Sequence, residues 1–377
     1  MIKFIKFVVR TGVVILLVIA LITLVSLEKN TDICETMTRT FSRFNVKVAS
    51  WISSWVPFSL TELTFAILGI TVLFLLIVAI VLLVKKKIFG SLYRIVEIAG
   101  IVLFTINIYH LSCEFAYNRK ELPLPFYESQ IARDEHVNIY NYFADDLNYC
   151  ISQLEFEESG EVKTSMSLND IAKEVKKAYK IIEGNDYYAS HFGSVKPMLS
   201  SFLYTEFQIT GVTYSPLGEA NINTHNTKTN IPLTVAHELA HTKGVMREDD
   251  ANQLAFYVCL NSDNPYLRYA VYVDYYDQLE AIVTPYYLTE EERDNLHKDG
   301  IPTLNKSRTY EYQFWKKHNL LKNIGEFFND LYIKSSGVKE GTSSYSGGSE
   351  YVHDPLTSEL KQASLYQKLF FEKYYRS

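Results

Sequence analysis

His237 and His241 stand four residues apart, with Glu238 between them, in the stretch LTVAHELAHTKGVMREDDANQLAFYV that begins at Leu233. Residues at this spacing lie one turn apart on the same face of a helix. Two imidazoles so placed can converge on one ion at the ~2.0 to 2.1 Å that zinc requires. Glu238 can then reach a water beside that ion without binding the ion itself, which is the place of a general base. Two histidines leave the ion short of ligands. Gly244 suits the left-handed conformation that ends a helix, so the chain can turn and start a second helix at about Arg247. Glu248 is the first acidic residue on that helix, and Asn252 follows four residues later on the same face. Such a pair offers a carboxylate to the metal and an amide that hydrogen-bonds a ligand histidine. Asp249 and Asp250 compete with Glu248 for the ligand role.

The competing reading is an amphipathic helix with solvated histidines. Against it, Val235, Ala236, Leu239 and Ala240 make the helix largely apolar, and His and Glu on a buried helix are costly unless paired or metal-bound. Two further residues are candidates for stabilising a transition state. His225, in a loop, can polarise a substrate carbonyl, and Tyr345, in a Gly/Ser-rich segment, can stabilise an oxyanion. Each also reads as an ordinary solvated side chain.

These residues need elements to hold them. Pro232 is tolerated only in the first turn of a helix, which predicts a start at Asn230 or Ile231. Upstream, FQITGVTYS and EANINTH read as two strands joined by the turn signal PLG. The second strand precedes the motif and reads either as an edge that binds an extended peptide or as a plain strand. Residues 132–156 have helical spacing. A further helix starts at the cap Ser167, with an apolar face of Ile171, Val175, Ala178 and Ile182 and a stop at Gly184 and Asn185. Beyond Leu260 the chain is mostly helical. The expected fold is α+β, mainly helical, with one small sheet.

Three apolar runs precede this domain: Thr11 to Leu27, Leu63 to Val84 and Ile95 to Cys113. Each approaches the ~20 apolar residues that cross a bilayer. A signal peptide is the alternative for the first run, but TLVSLEKN lacks a clear cleavage site. A buried or interfacial helix is the alternative for the third. Lys3, Lys6 and Arg10 precede the first run, and Lys85, Lys86, Lys87 and Arg94 separate the second from the third, so these segments are expected in the cytoplasm. Residues 28–62 and everything after Glu114 then lie outside. This divides the chain into a membrane anchor, 1–113, and an extracytoplasmic domain, 114–377. The net charge of −6 does not point to nucleic acid. Cys34, Cys113, Cys150 and Cys259 include no C-x-x-C pair, so a zinc knuckle or redox motif is not indicated.

The run SPLGEANINTHNTKTNIPLTVAHELAHTKGVMREDDANQLAFYV resembles the signature of bacterial membrane proteins catalogued as domain of unknown function 3810 (DUF3810). The later SSGVKEGTSSYS resembles that family's GVKxGxxSY segment, and the N-terminal spans agree with it. The family in turn resembles gluzincin-type zinc metallopeptidases. The resemblance implies a zincin-like fold, with His237, Glu238 and His241 matching the motif and Glu248 matching the start of an EDxAN element. In thermolysin-like enzymes the glutamate ligand lies much further along the chain, so the position of Glu248 is a departure from the wider class.

The expected activity is zinc-dependent hydrolysis of peptide bonds outside the cytoplasmic membrane, on a peptide or protein substrate of the cell envelope. An intramembrane protease is disfavoured because the motif lies far along the chain from any apolar run. The rival expectation is a zinc-stabilised binding or sensor module without turnover. The presence of Glu238, the base, separates the two.

Overall fold

A computed structural model describes residues 2–181, 192–284 and 288–376. The first element, α1 (Ile2–Leu27), is followed by the short α2 (Thr31–Met37), a π-helical turn, and α3 (Arg43–Ser53). Two long helices come next, α4 (Leu60–Val84) and α5 (Ile88–Ser112). Helices α1, α4 and α5 are each long and apolar enough to cross a membrane, and they pack side by side. Each is longer than its apolar run, because charged residues such as Lys6 and Arg94 continue the helix past the hydrophobic stretch.

After α5 come α6 (Glu135–Ser152), a two-strand ribbon of β1 (Glu155–Phe156) and β2 (Val162–Lys163), and α7 (Leu168–Ala178). Ser167 caps α7 in a reciprocal capping box with Asp170. The predicted stop at Gly184 and Asn185 lies outside the described residues. The principal sheet follows: β3 (Ser194–Pro197), α8 (Ser201–Glu206), β4 (Gly211–Tyr214) and β5 (Glu219–Ile222). Its order is β3-β5-β4, with β5 parallel to β3 and antiparallel to β4. The hairpin β4–β5 matches the two strands read from the sequence. Strand β3, whose four residues carry no clear alternation, adds a third. Strand β5 is the central strand, with helices such as α3 packed against it, and all four of its residues are buried. Of the two readings the sequence allowed for EANINTH, a peptide-binding edge or a plain strand, the structure gives the second, since the edge beside the HELAH motif is β4.

Helices α9 (Ile231–Thr242) and α10 (Glu248–Leu260) carry the motif. They are followed by α11 (Pro265–Asp274), α12 (Tyr276–Glu280), α13 (Glu290–Asp294), α14 (Ile301–Lys317) and α15 (Lys322–Ser335). The chain ends with a 3-10 turn (Gly341–Ser346), a ribbon of β6 (Val352–His353) and β7 (Leu360–Gln362), and α16 (Leu365–Arg376). One core joins Phe143 and Leu147 of α6, Val235 and Leu239 of α9, Leu254 and Val258 of α10, and Phe370 of α16. Each of these apolar side chains contributes about 1.5–3 kcal/mol by leaving water, which fixes α9 and α10 rigidly. The four cysteines are buried free thiols.

The segment between α1 and α4 is docked onto the sheet. Lys196 Nζ on β3 donates to the carbonyl of Ser53 at 2.7 Å, and Ser194 Oγ donates to that of Ser50 at 2.8 Å. Glu219 on β5 is fully buried and accepts from Leu60 N at 3.1 Å and from Thr61 N and Oγ1 at 2.8 and 2.7 Å. A helix begins with unpaired N–H groups and a partial positive charge, so this carboxylate caps α4. Glu62, in the first turn of α4, accepts in return from Leu199 N and Ser200 N at 2.6 and 3.0 Å. The sheet is thereby fixed to the end of the membrane-length helices.

Candidate metal centre

Asn230 and Pro232 open α9, as the sequence predicts. The helix ends in a Schellman arrangement in which Gly244 N donates to His241 O at 2.9 Å and Val245 N donates to Ala240 O at 3.2 Å. Gly244 sits at φ +73°, which a side chain would strain. Arg247 then occupies the position just before α10, and Glu248, Asp249 and Asp250 occupy the first turn, where acidic residues favour the positive end of the helix.

The turn brings Glu248 against the histidines. Its Oε2 is 3.1 Å from His237 Nε2 and 3.5 Å from His241 Nε2, and the two Nε2 atoms are 3.0 Å apart. Among the described residues this is the one group of three or more His, Cys, Asp or Glu side chains whose ligand atoms converge tightly enough to hold a metal ion. Asp249 and Asp250 turn instead toward Arg247, at 3.1 and 3.8 Å.

The outer nitrogens of both rings are already engaged. His241 Nδ1–H donates to Val245 O at 2.7 Å, and His237 Nδ1–H donates to Asn252 Oδ1 at 2.8 Å. Asn252 is itself held by donating Nδ2–H to the carbonyl of Tyr345 at 3.0 Å. Neutral rings in this tautomer present only lone pairs to Glu248, and the buried Oε2 then has no donor. Three lone-pair atoms facing one point call for a cation there. Without metal, a proton serves. Burial opposes a charged His241, but the Glu248 carboxylate outweighs it and carries His241 up to about 9. Burial would raise Glu248, yet the two histidines bring it down to about 2.

Glu238 lies beside this cluster but outside it. Its Oε2 accepts from Thr213 Oγ1 on β4 at 2.7 Å. Burial raises its pKa above the usual carboxylate value, and the histidines and the Thr213 hydroxyl only partly offset this. Strand β4 passes so close that a Cβ on Gly211 would stand 2.5 Å from Glu238 Oε1. Neither Gly211 nor Thr213 was singled out from the sequence. The available signal was the glycine inside ITGVTY, since an isolated glycine in a strand marks a close approach.

A cavity of about 880 Å³ opens over the cluster, lined by His237, Glu238, His241, Glu248, β4 and Tyr345. A second recess, about 370 Å³, continues along β4 on the other side of Glu238 to Asn230, Thr234 and Asp274. The Gly/Ser-rich segment is folded here into a 3-10 turn against α10 and α15, and it places the Tyr345 ring 6.5 Å from that of His237. The Tyr345 hydroxyl accepts from Asn329 Nδ2 of α15 at 3.3 Å, leaving its own proton free to donate. His225 is placed elsewhere. It sits 3.1 Å from Thr205 Oγ1, within an aromatic group of Phe202, Phe314 and His318, and lines neither recess.

No curated protein and no solved structure matches the chain. The model of one family does, over residues 37–352, and that range takes in the docked helix α3, the whole turn bearing His237, His241 and Glu248, and the 3-10 turn bearing Tyr345. The chain therefore belongs to the family described as Protein of unknown function (DUF3810).

Proposed function

We propose that this protein is a membrane-anchored, gluzincin-like zinc metallopeptidase whose zincin-like domain faces the outside of the cytoplasmic membrane. The observation that carries the reading is the convergence of His237 Nε2, His241 Nε2 and Glu248 Oε2 on one point, with both Nδ1 atoms already engaged elsewhere. Two neutral imidazoles and one carboxylate form a donor set that suits Zn²⁺. When bound, such an ion supplies electrophilic activation of a water and of a carbonyl.

The chain's own residues supply the rest. Asn252 and Val245 fix the ring orientations and leave each Nε2 lone pair directed inward. Strand β4 has a sheet neighbour on one side only among the described residues, so it can align an extended peptide backbone over Glu238. Glu238, steadied by Thr213, takes a proton from the attacking water and delivers it to the leaving amine. Tyr345 O–H is available to donate to the oxygen on which negative charge develops. Lys85, Lys86 and Lys87 lie at the end of α4 opposite to the one that Glu219 caps, which supports a cytoplasmic location for that end and an outer location for the domain.

The test is Glu238→Gln, which keeps the size and hydrogen bonding of the side chain but removes the proton acceptor. The variant is expected to fold and keep its zinc while peptide cleavage falls by ~10² to 10⁴. Zinc content, melting temperature and cleavage are compared on matched samples. Full cleavage by the variant would sink this mechanism. An inactive wild type with zinc bound would support the zinc-stabilised sensor instead.

A further inference from the structure

The cavity over the metal cluster is walled on one side by the membrane-length helices. Phe65 of α4 and Thr105, Ile106, Tyr109 and His110 of α5 line the same space as His237, Glu238 and Glu248. Residues more than a hundred positions apart in sequence thus meet at the outer ends of two spans. Of the exposed side chains that line the cavity, Phe65 on α4, Leu203 on α8 and Phe328 on α15 are apolar, Tyr332 and Tyr345 are aromatic, and Ser200 and Ser335 are small and polar. Phe65 lies within the first two turns of a helix long and apolar enough to span the bilayer.

The rim continues into a wider apolar surface. Ile324, Phe327, Phe328 and Leu331 give α15 four exposed large apolar side chains, and α8 adds Phe202, 62% exposed. Soluble surfaces rarely gather such patches unless something covers them. Both helices are fixed at the level of the outer span ends. Tyr332 of α15 is hydrogen-bonded to Tyr109 of α5, with the hydroxyls 2.5 Å apart, and the backbone leading into α8 is bound by Glu62 at the start of α4. Helix α3, which follows α1 through α2 and the π-helical turn and leads by a short connection into α4, exposes Phe44 and Trp51. The bilayer's outer boundary is the occupant that fits these faces, because the spans themselves end there.

The cleft also changes character along β4. Tyr214, at one end, packs on Phe65 with ring centroids 4.9 Å apart, while the recess beyond Gly211 sets the polar Asn230, Thr234 and Asp274 beside the apolar Ile209 and Leu233. A chain lying along β4 therefore has an apolar end at the membrane and a more polar end away from it. That is the profile of a polypeptide just after it leaves a bilayer.

Resting on the peptidase reading above, we infer that the substrate is the juxtamembrane segment of a membrane-anchored polypeptide, which enters the cleft sideways between α4, α8 and α15 from the outer leaflet. A freely diffusing peptide lacks both the orientation and the local concentration that shared anchoring provides.

Two measurements on the full-length protein in phosphatidylethanolamine–phosphatidylglycerol vesicles test this. The four native cysteines are buried, so a nitroxide label goes to an introduced one. Labels at Phe202→Cys and Phe328→Cys are expected to be more accessible to oxygen than to an aqueous nickel chelate, and a label at Tyr149→Cys, exposed on α6, is expected to show the reverse. Aqueous behaviour at all three positions overturns the lateral mouth, whatever the activity. In the second measurement, one library of short random segments is presented either free in solution or directly outside a single apolar span in the same vesicles. Cleavage of the anchored form is expected to be faster by roughly tenfold or more. Equal rates overturn the inference alone. Cleavage of neither form overturns the peptidase reading and this inference with it.

Discussion

Every group in the corner between α9 and α10 comes from residues 237–252, whereas the wall facing it draws on α4, α5, β4, α8, α15 and the turn carrying Tyr345. The corner depends on local geometry: one helical turn, one left-handed glycine and one helix start place four side chains. The wall depends on packing between elements as much as 280 positions apart, from Phe65 to Tyr345. On the peptidase reading proposed above, the corner supplies the chemistry and the wall selects which chains reach it. Substitutions in the two regions should separate accordingly.

The largest effect is expected in the corner. Replacing Glu248 by Ala removes the one anionic member of the donor set, and zinc affinity should fall by more than ~10², beyond what loss of a supporting partner costs. Replacing Asp249, which faces Arg247, should leave affinity nearly unchanged. Competitive chelator titration reads both. A stronger loss for the Asp249 variant would mean that the carboxylate serving the metal is not the one the turn brings in.

Gly211→Ala probes the seam where the wall meets the corner. The new Cβ would fall 2.5 Å from Glu238 Oε1, so either β4 or the carboxylate must move. Zinc content should be unchanged, because Gly211 touches no member of the donor set. Cleavage should drop by about 10², the scale of a misplacement near 1 Å. Undiminished cleavage with zinc retained would show that Glu238 need not lie against β4.

The smallest effect is a proton. In the metal-free protein His241 is raised to about 9 from 6.5 and Glu248 is lowered to about 2 from 4.5. Their attraction stabilises that form fully below the ordinary histidine value and is lost as pH rises through about 9. On the carboxylate side it is present above the ordinary value and lost as pH falls through about 2. Zinc needs the neutral imidazole, so binding near neutral pH should release about one proton, and affinity should climb until pH approaches the His241 value. Calorimetry in two buffers of different ionisation enthalpy measures the release. Binding without proton release would contradict the paired state of His241 and Glu248.

The same division explains what was legible beforehand. Helix starts at Ile231 and Glu248, the stop at Gly244 and the hairpin β4–β5 each follow from residue types over a few positions, and the sequence indicates them. So do the three apolar helices, because span length is a property of one continuous run. The choice between edge and plain strand for EANINTH stayed open in the sequence because the two differ only by whether β3 pairs, and β3 lies some twenty residues upstream, with four residues and little pattern. His225 was offered to the site because a loop histidine near a motif looks available, but its ring is taken up by Phe202, Phe314 and His318.

What the sequence by itself determined is the chemistry-bearing turn. Helical periodicity, a glycine stop and a helix start act within about sixteen residues, and those rules hold whatever surrounds them. What only the tertiary structure decided is where that turn sits. Distance along the chain separates His237 from every apolar run, yet Glu219 capping α4 and Glu62 binding the backbone that leads into α8 draw the sheet onto the span ends and leave the motif facing them. Those contacts join residues more than a hundred positions apart, and each is a carboxylate, buried in the case of Glu219, meeting backbone N–H groups, a pairing that no local pattern announces.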